Sequence, residues 1–187
     1  MSPRSFAFSS IACIVLILVA APTLLCAQRT FDEREIKATF LFNFAQFVEW
    51  PAASFADPRA PLVVGVLGDD PFDTVLDAVI RGEVIKNRPL VVTRFRRVED
   101  IVVCHILFIS SSEASRYSRI LEVLQGRPIL TVGDADGFAT SGGMIRFITE
   151  KSHIRLRINL GVARDAGLTI SSQLLRVAEV VGQGQKR

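Results

Sequence analysis

Leu62-Val-Val-Gly-Val-Leu67, followed at once by Gly68-Asp-Asp-Pro71, is the stretch that decides the fold class. Six uninterrupted apolar residues have the length of a strand rather than a helix, and the lack of alternation means burial on both faces, as in a parallel sheet held between helices. Gly68-Asp-Asp-Pro71 then turns the chain into a helix, with Asp69 or Asp70 as cap and Pro71 suited to the first turn. Phe72, Val75, Leu76, Val79 and Ile80 recur at helical spacing, and Gly82 is placed to end that helix. The same unit returns downstream. Residues 104–109 read as a buried strand, Ser110-Ser-Ser-Glu113 as a helix start, residues 114–124 as a helix ended by Gly126, and residues 128–132 as another strand. Residues 89–95, centred on Val91-Val92, supply one more. Strand and helix in this rhythm predict parallel strands joined by right-handed crossovers.

After residue 132 the rhythm breaks. Met144-Ile-Arg-Phe-Ile-Thr149 and Ile154-Arg-Leu-Arg-Ile158 alternate apolar with polar residues across a turn too short for a crossover. They predict an antiparallel hairpin at the sheet edge, with Arg155 and Arg157 on its outer face. Residues 159–167 read as a short helical segment. Ser171 or Ser172 then caps a last helix that packs Leu174, Leu175, Val177, Ala178 and Val181 inward, and residues 182–187 form a frayed tail. The expected architecture is a single three-layer α/β domain: a mostly parallel sheet of Rossmann-like topology, an antiparallel edge hairpin and flanking helices.

Upstream lies Arg34-Glu-Ile-Lys-Ala-Thr-Phe-Leu-Phe-Asn-Phe-Ala-Gln-Phe-Val-Glu-Trp50-Pro51, which places five aromatic residues, including the only Trp, in eleven positions. At 100° per residue, Ile36, Phe40, Leu41, Phe44, Phe47 and Val48 fall within an arc of about 140°, the core-facing stripe of a helix ending at Trp50-Pro51. Phe42 projects to the other side, at about 240°, among Glu35, Gln46 and Glu49, and Lys37 is a charge inside the apolar arc. Two readings stay open. The helix is covered on both sides by its own domain while Lys37 snorkels, or Phe42 and Lys37 contact another chain, with Arg155 and Arg157 as the next contact candidates. Residues 52–61, interrupted by Pro58 and Pro61, read as a loop.

A length of 187 residues suits one domain with a substantial core, and 49% hydrophobic with 22% charged residues is a globular balance. The net charge of +3, or +2 without residues 1–27 whose only charge is Arg4, offers no basic field for nucleic acid. Residues 1–27 read as a cleaved signal peptide: Arg4 as a thin positive region, residues 11–21 as an apolar core, and Leu25-Cys-Ala27 as a cleavage site before Gln28. The apolar core spans roughly 16 Å as a helix, about half a bilayer interior, and Pro22 follows. Cys26 invites a lipoprotein reading, but Leu25 is bulky where a small residue is wanted. The domain then covers residues 28–187 and keeps only Cys104, which rules out an internal disulfide framework and reads as a small buried hydrophobe.

Open α/β sheets bind ligands beyond the carboxyl ends of their strands. Here that crevice offers Gly68 and Asp69 from one strand and Ser110 and Ser111 from another, with Asp134 after a third. Carboxylates stand where a phosphate would need bare backbone N–H groups, and no nucleotide-binding glycine pattern is present. His105, inside a predicted strand beside Cys104, and His153, in the hairpin turn, match neither a serine nucleophile's base nor a zinc set. The expectation is a non-catalytic protein without metal or cofactor.

Lys37-Ala38, Phe42-Asn-Phe44 and Phe47-Val-Glu-Trp-Pro51 begin a series of short motifs that runs to the C-terminus. It continues with Gly65-Val-Leu-Gly68, Pro71-Phe72, Cys104-His-Ile-Leu-Phe-Ile-Ser110, Ile129-Leu-Thr-Val-Gly-Asp134, Gly142-Gly-Met-Ile145, Arg157-Ile-Asn-Leu160, Gly167-Leu168 and Leu174-Leu-Arg176. Over roughly residues 33–181 the series resembles the YfiR-like family of small periplasmic proteins. The resemblance implies a regulator that binds the periplasmic sensor region of an inner-membrane diguanylate cyclase and holds it inactive. It further implies relief by an outer-membrane lipoprotein, and a possible homodimer. Some relatives carry several cysteines, and disulfide-linked regulation does not transfer to a chain that keeps Cys104 alone. Two other readings compete: a small-ligand receptor reporting to a membrane sensor kinase or transporter, and a hydrolase resting only on the serine cluster.

Overall fold

The computed structural model describes residues 32–182; the expected signal peptide and residues 183–187 of the expected tail lie outside them. Helix α1 (Glu33–Phe47) starts where the Asp32 carboxylate accepts a hydrogen bond from the Arg34 N–H at 3.0 Å, and Glu33 and Glu35 suit the positive end of its dipole. It ends three residues before Trp50. Val48 is extended, and β1 (Val48–Glu49) pairs antiparallel with β9 (Thr169–Ile170), Val48 opposite Ile170. The position before a proline disfavours helix, and β-branched Val48 finds a strand partner, so Trp50-Pro51 follows a short strand rather than closing a helix.

The central sheet is the expected one. β2 (Leu62–Leu67) lies between β4 (Arg88–Phe95) and β5 (Ile106–Ile109), with β6 (Leu130–Gly133) beyond β5, all parallel. β7 (Ile145–Glu150) continues parallel beside β6, and β8 (His153–Asn159) returns antiparallel through Lys151-Ser152, both at positive φ. Every residue of β2, β5 and β6 is buried, as continuous apolar runs require. Alternation divides them. Val64, Val66, Ile106, Phe108 and Val132 join one core with Leu41 and Phe44 of α1 and Leu76 and Ile80 of α2 (Val75–Ile80). Leu67, Leu107 and Ile109 join a second core with Tyr117, Ile120 and Leu124 of α3 (Tyr117–Leu124). A helical layer on each face completes the three-layer sandwich.

Three local expectations are corrected. Helix α2 starts at Val75 rather than Pro71, because the Asp70 carboxylate accepts the Phe72 N–H at 2.7 Å and Asp73 turns through φ 51°. A strand missed in the sequence, β3 (Val84–Ile85), forms a hairpin with β4 across Lys86-Asn87, both at positive φ. The last helix is one turn, α5 (Ser172–Leu175), with Ser171 accepting the Gln173 N–H; Ala178, expected on its buried face, begins β10 (Ala178–Val181), parallel to β8. The spacing of Leu174, Leu175, Ala178 and Val181 fits a helix, but the valine-rich end satisfies the open backbone edge of β8. The hairpin thus forms where expected, with β10 added outside it, giving the order β10-β8-β7-β6-β5-β2-β4-β3. The short helical segment at residues 159–167 is α4 (Leu160–Asp165), capped by Asn159.

Candidate functional site

At the carboxyl edge Gly68 and Asp69 follow β2, and Ser110 and Ser111 follow β5, which lies beside it. Ser112 Oγ accepts the Asp69 N–H at 3.0 Å, Ser110 Oγ accepts the Ser112 N–H at 3.3 Å, and the Ser110 N–H donates to the Leu67 carbonyl at 3.0 Å. Gly68 has φ 87°, and a Cβ there would meet Ser112 Oγ at 2.6 Å and Glu113 Cγ at 2.8 Å. Glu113 itself is buried and ion-paired with Arg116 at 2.5 Å. Part of the crevice's polar equipment is thus used internally, while Asp69 and Ser111 stay exposed.

Lys37, expected at a partner surface or snorkelling to water, does neither. Its side chain is 8% exposed, with Nζ 2.7 Å from Asp134 Oδ2 and 2.6 Å from Glu33 Oε1, and the Phe147 ring centroid 6.0 Å away. An ammonium between two carboxylates is the arrangement that a buried lysine requires, so Lys37 is withdrawn as a contact residue. The hydrogen bond from Lys37 holds the Glu33 carboxyl below its ordinary range. Phe42 is half-buried and packs partly on the α1 core. Arg155 is exposed and pairs with Glu150 at 3.1 Å. Arg157 lies opposite Glu179 of β10 and pairs with it at 3.0 Å, so it braces the added strand.

Sequence reasoning missed the niche where α1 ends. The Trp50 indole N–H donates to the His105 carbonyl at 3.1 Å, and the His105 ring lies edge-on to the indole. His105 is 1% exposed. Its Nδ1 accepts the Val63 N–H at 3.0 Å, which places the proton on Nε2, where it donates to the Ser54 carbonyl at 3.1 Å. Burial pushes this imidazole below its ordinary pKa, with Arg88 adding to the effect. Phe55 stacks on the His105 ring at 4.4 Å and 15°, and the Arg88 guanidinium covers the Phe55 ring at 3.6 Å. Beside this three-layer stack opens a cavity of about 340 Å³, floored by Val48, Leu62 and Ile85. The available signal was the pairing of the only Trp with a buried-strand histidine. The link is tertiary, 55 residues apart in the chain.

Cys104 sits inside the second core. It is buried, Sγ lies 3.1 Å from the Ile106 carbonyl, and burial pushes the thiol up to about 12. Further cavities are present, among them one of about 340 Å³ between the start of α1 and α2. One of about 470 Å³ lies between α3 and α4, and one of about 290 Å³ is lined by Arg97, Arg116 and Arg119 beside Glu99 and Glu113. No helix among the described residues is long and apolar enough to cross a membrane.

A family model described as YfiR/HmsC-like matches residues 34–179, from the first turn of α1 into β10. The chain belongs to the YfiR/HmsC-like family. The carboxyl-edge crevice and the Trp50 niche lie within the matched span, as do Lys37 and Asp134. No curated protein sequence matches the chain significantly. Among solved structures, the chain is similar to an ABC domain in complex with L-Trp from Streptococcus pneumonia at a TM-score of 0.47 and 11% identity, covering 64% of this chain. The match spans 55% of that structure's length, and a likeness at this level carries neither ligand nor function to the YfiR/HmsC-like chain.

Proposed function

We propose that this protein is a periplasmic regulator that binds the periplasmic sensor region of an inner-membrane diguanylate cyclase and represses cyclic-di-GMP synthesis. Its membership of the YfiR/HmsC-like family over residues 34–179 is the observation that carries this reading. A repressor of this kind works by binding the inactive state of its target more tightly than the active one. A hundredfold drop in the active population needs about 3 kcal/mol of such preference, within reach of an ordinary interface. Release would come from an outer-membrane lipoprotein that sequesters the repressor, and a homodimer is compatible with the same scheme. Phe42, a half-buried ring of α1 that packs partly on the core, is the leading contact residue, followed by the exposed Arg155.

Deleting the gene is expected to raise cellular cyclic-di-GMP; an unchanged level in every growth condition would remove the reading. Complementation with Phe42→Ala should fail to restore repression while the purified variant melts within about 5 °C of wild type, a loss of about 1–2 kcal/mol for a ring already partly in water. A large fall in melting temperature with repression intact would make Phe42 a core residue only. A second reading, a small-ligand-binding accessory protein reporting to a membrane sensor kinase or transporter, is favoured by one observation: the formed cavity beside Trp50.

A further inference from the structure

The cavity beside Trp50 is at the small end of the ligand-pocket range, with an apolar floor and aromatic neighbours. Its polar equipment is unusual. Arg88 Nη1 donates to the Asp57 carbonyl at 2.8 Å and the Ala60 carbonyl at 2.9 Å, while the face of the guanidinium rests on Phe55. Phe55 in turn rests on His105, whose two ring nitrogens are held by backbone groups. The guanidinium is therefore fixed in orientation before any ligand arrives. Its Nε and Nη2 donors have no protein acceptor among the described residues. Lys86 stands at the same rim in a loose, exposed pair with Glu49 at 3.7 Å.

We propose that this niche binds a small organic anion, a carboxylate carried on a flat apolar body, with Arg88 taking the carboxylate and the body lying on the Val48, Leu62 and Ile85 floor. A planar guanidinium with an open edge matches a carboxylate in a two-point contact, which a lysine alone would not. Two cations against one carboxylate at the rim set the sign of the preferred charge. The inference goes beyond the regulatory reading and does not depend on it, because it concerns occupancy of a cavity and not a protein partner.

Trp50 is the only tryptophan in the chain, so the protein's intrinsic emission reports this niche directly. The purified protein is titrated with benzoate, benzyl alcohol and benzylamine at constant ionic strength, three probes with one ring and three charges. Benzoate is expected to give a saturable shift in emission with a Kd on the order of 1 mM, and the other two none in that range. Arg88→Met should weaken benzoate at least tenfold. Since Arg88 also braces Phe55, Lys86→Met serves as the second variant: it leaves the stack intact and should weaken benzoate about threefold. An equal response to all three probes, no response to benzoate, or undiminished benzoate binding in a folded Arg88→Met protein overturns the proposal. If Arg88→Met does not fold, undiminished binding in Lys86→Met does so instead. None of these outcomes touches cyclic-di-GMP levels, so failure here and failure of the regulatory reading are separable.

Discussion

His105 accepts the Val63 N–H through an unprotonated Nδ1, and a second proton on the ring would replace that bond with two donors facing each other. The folded state therefore keeps the imidazole neutral, with its pKa lowered by burial, whereas the unfolded chain takes up the proton near pH 6.5. Stability from this residue is complete above pH 6.5 and falls as the pH drops below it, by at most about 1.4 kcal/mol per pH unit. Urea denaturation at pH 7.5 and pH 5 should show the loss, and His105→Gln should flatten it over that range. Lys37 carries a second expectation. Lys37→Met keeps the stem and removes the charge, leaving Asp134 half-enclosed without its ammonium, at a cost of about 3 kcal/mol and a melting point about 10 °C lower. Asp134→Asn combined with Lys37→Met should recover part of it. The anomaly at Lys37 was legible on the helical wheel, because a charge in an apolar arc needs a reason. Its partner was not, since Asp134 lies 97 residues away and only the sheet brings the two together.

Among elements, those written in continuous apolar runs were legible and those depending on a neighbour were not. β2 and β5 had to be buried strands whatever lay beside them, and they are. β10 was misread because its spacing satisfies two periods, and the choice between them belongs to the unpaired edge of β8. β3 was missed because two residues make no pattern; Lys86-Asn87 at φ 51° and 65° was the readable clue, Asn being at home in such a turn. The loop from β6 to β7 has a similar hidden rule. Phe138 fills the space where Gly133 and Gly143 lack side chains, and a Cβ on Gly143 would sit 2.2 Å from its ring. Gly143→Ala should cost about 2–3 kcal/mol in thermal or chemical unfolding, and Phe138→Leu in the same chain should return part of it.

For the molecule as a whole, the sequence made the sheet, its parallel centre and its two helical layers readable, because those follow from burial on both faces. The carboxyl-end crevice was also legible as a place, though Ser110 and Ser112 there bond to the chain itself, whereas the Trp50 niche was not, because it gathers residues from four separate stretches of chain. Removing residues 178–187 should uncover the edge of β8 and release Arg157 from Glu179, so the truncated protein is expected to self-associate on size exclusion at concentrations where the full chain does not. The ribbon between β1 and β9 bears on how the protein is made. Residues 48–49 leave the ribosome long before residues 169–170, so although α1 can pack on β2 and α2 early, the seam at its end cannot close until nearly all of the polypeptide has been synthesised. The fold is thus sealed late, by a pairing between its first strand and its penultimate one.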